Sequence, residues 1–378
     1  MFKAMRPGLG LLIGALCLGL PLAAEAHVKW FAPYIVDAPP MRLGLMVQNQ
    51  WMWIAFGLTL AFFIATRFVE VSRFGDLVQG GLDRVTNPLW ARLDDYVRAL
   101  IAAFFVAIFS VGGVYLTPDL KTPAEWVSWI QLLIAAGIFS RRTMPLSGIG
   151  IIVLWLLALL DYDLFHLLDY LALGVGVAAY LILEPMPEKY RSHRFEALRW
   201  GLAIALMWSS LEKFAYPEWF YPLVDEKPFL TFGLPRDVFI PMAGVAEFTM
   251  GFGLLWTPLI RRLSAITLLL IFTAAVWPFG RIEIIGHGLI MAILLAVGSD
   301  HCRVDRLGPK FKLPAYNIPA ALALVVVVFV SGYWTLHDVF YNYDDYARGV
   351  IDRATHSHNP ENPHGPKSDT GIGAPPTK

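Results

Sequence analysis

Apolar residues along this chain fall into ten long runs separated by short polar connections. The runs cover 51–69, 97–116, 125–139, 144–160, 164–183, 195–214, 238–256, 263–277, 282–297 and 316–334. At 1.5 Å per helical residue each run crosses most or all of a hydrocarbon layer about 30 Å thick. Two-residue alternation of the kind that marks strands is missing from these runs, so the pattern predicts an all-α, polytopic membrane protein with ten transmembrane helices. The inner connection from Glu70 to Asp95 mixes charges and apolar residues at helical spacing, which predicts an amphipathic helix lying along the membrane surface. The connection from Ala215 to Asp237 is rich in Tyr, Trp, Phe and Pro and is expected to cap helix ends at the opposite interface.

Composition agrees with this class. The 378 residues are 57% hydrophobic, mean hydropathy is +0.55, and 30 basic residues balance 30 acidic ones. A net charge of zero argues against nucleic acid as a partner. Residues 1–26 carry Lys3 and Arg6, then an apolar stretch, then AAEA, which is the layout of a cleaved secretory signal peptide. Cleavage there would make His27 the mature N-terminus, while an uncleaved first span is the alternative. With Cys17 inside the signal, Cys302 is left alone and no internal disulfide is expected.

Seventeen basic residues fall in the inner loops and five in the short outer connections, if the mature N-terminus is outside. By the positive-inside rule this places both mature termini on the outer, periplasmic side of the cytoplasmic (inner) membrane. The tail, 336–378, ends HSHNPENPHGPKSDTGIGAPPTK, too polar and too rich in Pro and Gly to fold by itself.

Two blocks of four spans look alike, at 96–184 and 194–298. YVRALIAAFFVAIFSVGGVYLTP lies on RFEALRWGLAIALMWSSLEKFAYP with Pro118 against Pro217, and Gly137 then meets Gly253, each followed by a pair of arginines. An even number of spans per block makes the copies parallel. They differ in charge: the second has Glu212, Lys213 and Glu247 where the first has Gly113, Val114 and Gln131, and Asp169 falls near the position of His287. Charged groups at membrane depth are costly and usually face a bundle interior, so the second copy is the expected working site.

That second copy, through WSSLEKF, AEFTMGFGLLW with Arg261 and Arg262, and His287 opening the fourth helix, resembles the DoxX-like family of small four-helix membrane proteins. The likeness covers about 105 residues clearly and the first copy weakly. Ser210 stands where a glycine is common, and the long connection after the first helix departs from the family. The resemblance implies a link to membrane redox chemistry, since relatives include subunits of quinol oxidases and thiosulfate:quinone oxidoreductases. It implies a redox partner subunit rather than a complete enzyme, because no flavin, haem or iron–sulfur ligand set is present.

Within this frame Glu212, Lys213, Glu247 and His287 are the candidate polar pocket. Glu247 lies about 14 Å into its span, and Lys213 closes the preceding one at a depth from which its stem can reach inward. They can form a pocket for a quinone headgroup, with Glu247 exchanging protons and Lys213 or His287 bonding a carbonyl oxygen. Equally, Lys213 and Glu247 can be a buried ion pair that fixes helix register. His287, flanked by Gly286 and Gly288, can be a ligand or a hydrogen-bonded structural residue, with Trp277, Arg281 and Glu283 as interface anchors around it. His166 and Asp169, three apart, suggest a local hydrogen bond; His193 and His301 suggest no specific role. A separate alternative is an outward-facing copper-binding protein, with the α-amine and ring of His27 as principal ligands and His337, His356 and His358 on the same side. No phosphate loop, nucleophile motif or HExxH is present, which sets ATPase and hydrolase chemistry aside.

Overall fold

The computed structural model describes Lys29, Tyr34 and residues 38–303 and 314–341. Among these residues the chain is helical, with no strand beyond one isolated bridge between Val114 and Lys121. The principal helices are α1 (Gln50–Glu70), α2 (Arg73–Trp90), α3 (Leu93–Val111), α4 (Trp126–Gly137), α5 (Met144–Ala158) and α6 (Leu164–Leu183). They continue with α7 (Arg194–Ser209), the one-turn α8 (Glu212–Ala215), α9 (Arg236–Gly253), α10 (Pro258–Gly298) and α11 (Pro314–Tyr341). Among the described residues four helices are long and apolar enough to cross a membrane: α1, α6, α10 and α11.

Local chemistry sets several of the boundaries. Asn49 caps α1 by accepting the Trp51 amide at 3.0 Å, and Asp163 caps α6 through the His166 amide at 2.9 Å. The start of α10 borrows its cap from α1: Glu70 Oε1 accepts the Leu259 amide at 2.6 Å, placing a carboxylate at the positive end of a helix. The expected pair of spans 263–277 and 282–297 corresponds to two helical segments of α10 that meet at a kink just after Pro278. Gly280 holds φ 69° and ψ −141°, a conformation that side-chain-bearing residues avoid.

The expected span 195–214 is also interrupted. It ends at Ser209 and restarts as α8, because Ser210 Oγ turns back onto the Met207 carbonyl at 2.9 Å and competes with helix continuation. Glu212 and Lys213 therefore occupy a separate turn rather than the last turn of α7.

Neighbours in sequence are neighbours in space. Contacts run α3 to α4 to α5 to α6 to α7 to α9 to α10, and α10 returns to α3, closing a ring. The tightest joint is between α6 and α7. A Cβ on Gly176 would lie 2.9 Å from the Gly201 Cα, so two glycines let the backbones touch, as small residues do in membrane bundles. Outside the ring, α1 lies on α9 and α10, and α11 lies on α1, α6 and α7.

One end of the ring carries a cationic lattice. Arg191 and Arg194 clamp Asp94 and Glu184, joining the starts of α3 and α7 to the end of α6. Nearby, buried Arg262 bonds Asp83, the Gly298 carbonyl at 2.9 Å and Thr86 Oγ1 at 3.1 Å. His301, expected to do nothing specific, stacks on Trp90 at 4.9 Å and meets Thr86 at 3.1 Å, helping to hold α2 against the bundle. Partial burial alone would raise the Asp83 pKa, but hydrogen bonds and charge from Arg262 and Arg303 outweigh it and hold the carboxyl below its usual value.

Candidate functional site

The ring surrounds a partly open cavity of about 110 Å³. Two kinds of wall face it. The apolar wall comes from α3, α5, α6 and α10, with Phe104, Phe105, Ile151, Phe272 and Ile290 among its residues. The other wall carries Asp169, Glu212, Lys213, Glu247 and His287. All four sequence-selected pocket residues thus line one space, joined by Asp169 from the first block.

Lys213 Nζ donates to Glu247 Oε2 at 2.6 Å and lies 5.0 Å from the centre of the Phe220 ring. Gly244, one turn before Glu247 on α9, makes the approach possible. A Cβ there would stand 3.0 Å from Lys213 Cβ and 2.9 Å from the Phe214 ring. Glu212, the next residue back on α8, takes a different partner: Lys29 Nζ lies 2.5 Å from its Oε1 and also pairs with Asp169. Burial alone would drive the Lys29 ammonium towards neutrality; the two carboxylates outweigh that and hold its pKa above the ordinary lysine value. Around the cavity, then, three carboxylates meet two ammonium groups.

His287 does not open a helix. It lies within the second half of α10, where its Nδ1 is 2.8 Å from Glu283 Oε1 and its ring packs 4.7 Å from that of Phe272. Glu283, expected among the interface anchors, is fully buried, whereas Trp277 is 89% exposed. The buried Glu283 carboxylate at Nδ1 fixes the ring's orientation.

His166 and Asp169 do not bond each other, because their partners come from elsewhere in the chain. Tyr34 Oη meets His166 Nε2 at 3.0 Å, with Asp119 3.9 Å away, and Asp169 is committed to Lys29. Asp119 in turn accepts from Tyr170, another residue of the cavity wall. The aromatic connection after α8 is partly a lid: Tyr216 stacks on Trp219 at 4.0 Å and Phe220 lines the cavity, while Phe229 and Phe232 are exposed.

Lys29 and Asp119 are polar residues that sequence reasoning missed, and Glu283 is one that it placed at the interface instead. Glu283 precedes His287 by one helical turn, a spacing visible in the sequence. For Lys29 the available signal was charge balance, since Lys213 alone could not neutralise Asp169, Glu212 and Glu247.

Of the copper candidates, His27, His356 and His358 lie outside the described residues. His337 is buried among the rings of Phe165, Tyr216 and Tyr341. Among the described residues no group of three or more His, Cys, Asp or Glu is disposed to hold a metal ion. Comparisons of the chain with protein-family models, with curated proteins and with solved structures return no match.

Proposed function

We propose that this protein is an inner-membrane, DoxX-like accessory subunit that binds a quinone in the cavity of its helical ring. The observation that carries this is a cavity inside a bundle of apolar helices whose lining combines acids and bases with aromatic and aliphatic side chains. A quinone ring has the same mixed character: flat apolar faces and two carbonyl oxygens that accept hydrogen bonds and take up protons on reduction. Lys213 and His287 would donate to the carbonyl oxygens, and Glu247 would exchange a proton with the reduced form. Electrons would come from a partner subunit, in keeping with the accessory role.

The same proposal includes ten spans, both mature termini outside, and two parallel four-helix repeats. Three local correspondences support the repeats. Gln131 Nε2 donates to the Val114 carbonyl at 2.5 Å, and Glu247, aligned with Gln131, pairs with Lys213, aligned with Val114. A Cβ on Gly137 would collide with Ser147 Oγ, and one on the aligned Gly253 would collide with Ser264 Oγ. Asp169 and His287, near-equivalent positions, line the same cavity. In the second copy Lys213 and Glu247 stand where the first has Val114 and Gln131, which is where proton exchange would reside.

The experiment is binding of a water-soluble, tailless dimethoxy-methyl-benzoquinone to the purified protein in nanodiscs. Saturable binding that weakens about tenfold in Lys213→Met is the expected result, the loss of one charge-assisted hydrogen bond. Binding unaffected by Lys213→Met and by His287→Phe would overturn the assignment.

A further inference from the structure

The cationic end of the ring contains two kinds of arginine. Arg191 and Arg194 meet Asp94 and Glu184 at 2.6 to 3.1 Å, two guanidinium groups for two carboxylates. Arg199 and Arg261 are served less well. They share one carboxylate oxygen, Asp300 Oδ2, at 3.5 and 3.2 Å, longer than the roughly 2.8 Å of a close charge-assisted bond. Arg261 also donates to the Cys302 carbonyl at 2.7 Å, and Glu196, one turn before Arg199 on α7, pairs with His193 at 3.5 Å. Both arginines are buried, 8% and 2% exposed, and in both the Nε–H has no partner among the described residues. A buried charged donor left unpaired is costly.

Arg199 and Asp300 line a partly open space of about 30 Å³, with Trp90, Phe195, Leu198 and Ile293 among its apolar walls. That volume admits about two water-sized groups, so the oxygens of a small anion fit and a sugar or a base does not. Apolar walls strengthen any charge contact made there.

We propose that Arg199 binds a phosphate group at this space, its Nε–H donating to a phosphate oxygen while Arg261 adds charge from across Asp300. The guanidinium fork matches phosphate oxygens, and basic pockets between membrane helices recognise lipid phosphates. Two sources carry that chemistry, the headgroup of an anionic phospholipid and inorganic phosphate. The site stands apart from the quinone assignment, since none of these residues lines the central cavity.

The test follows the unfolding midpoint of the delipidated full chain in a neutral detergent at constant ionic strength. The probes are dihexanoyl-phosphatidylglycerol, dihexanoyl-phosphatidylcholine, whose choline cancels the headgroup charge, and inorganic phosphate. Saturable stabilisation by phosphatidylglycerol and not by inorganic phosphate identifies a lipid headgroup as the ligand; stabilisation by both identifies a site for the free ion as well. Arg199→Gln should weaken the apparent affinity at least about tenfold, the loss of one charge-assisted hydrogen bond. Asp300→Asn should tighten it, because the competing charge is gone while the side-chain oxygen still accepts the Cys302 amide. That gain is a readout which a folding defect in Arg199→Gln does not imitate. Arg84→Gln, at an exposed arginine, should change nothing. The site is overturned by no saturable effect of phosphatidylglycerol or phosphate on the unaltered protein, or by equal stabilisation with phosphatidylcholine. Equal losses in Arg199→Gln and Arg84→Gln, or no gain in Asp300→Asn, overturn it too.

Discussion

Lys213 and Glu247, 34 residues apart in the chain, meet at 2.6 Å where the single turn of α8 abuts α9. Both line the cavity, so the pair is at once a structural clasp and part of the cavity's polar lining. Lys213→Met and Glu247→Gln should each lower stability by about 1.5–3 kcal/mol, the worth of a hydrogen bond to a charged group. The double variant should recover part of the sum, because neither leaves the other group unpaired. Thermal unfolding of the four proteins in one detergent measures this. Strictly additive losses would mean that the contact contributes no coupling.

The clasp depends on Gly244 as much as on the charges. Gly244→Ala introduces a methyl 2.9 Å from the Phe214 ring, an overpacking that costs about 1–3 kcal/mol and pushes α8 away from α9. Gly57→Ala is the matched control. Its methyl meets nothing, and it should stabilise α1 by up to about 1 kcal/mol through helix propensity. Opposite signs for the two in thermal unfolding, with quinone affinity reduced only by Gly244→Ala, are the expected outcome.

At the other end of the ring Asp83 ties α2 to α10 through Arg262. Its carboxyl is more acidic in the folded protein than in the unfolded chain, so the stability it supplies is present above the ordinary aspartate pKa of about 4 and is lost as pH falls below it. Asp83→Asn should therefore lower the unfolding midpoint at pH 7 and have a smaller effect at pH 3. A midpoint difference independent of pH over that range would show that the Asp83 charge is not what holds α2.

The helical class and the approximate places of the helices are legible in the sequence, because an apolar run of membrane length has few other physical outcomes. Lys213 and Glu247 could be paired for the same reason: both positions follow from counting residues from the helix ends. What the hydrophobic pattern does not encode is a break made by side-chain competition, as at Ser210, or a helix cap supplied by a distant helix, as Glu70 supplies α10. Lys29 is the extreme case. It lies 140 residues from Asp169, in a stretch whose local pattern predicts only a polar outer segment. The register of Glu283 could be read, but its direction depends on how α10 turns after Gly280, and that is a tertiary fact.

Lys29 also carries the largest expected single effect. It is the cation between Asp169 and Glu212, and all three groups are buried, so Lys29→Met leaves two carboxylates facing each other without compensation. Breaking a buried ion pair costs about 3–5 kcal/mol, chiefly through the charge left behind. Adding Asp169→Asn to Lys29→Met removes one of those charges and should restore a substantial part of the loss, although Asp169→Asn by itself destabilises. Because Asp169 and Glu212 outweigh the lowering effect of burial and raise the Lys29 pKa, its contribution is fully present below the ordinary lysine value and is lost only as pH rises through the folded one. The midpoint difference between the unaltered protein and Lys29→Met should accordingly stay constant from pH 7 to pH 9. A difference that shrinks across that interval, or a double variant no more stable than Lys29→Met, would remove Lys29 from the charged wall.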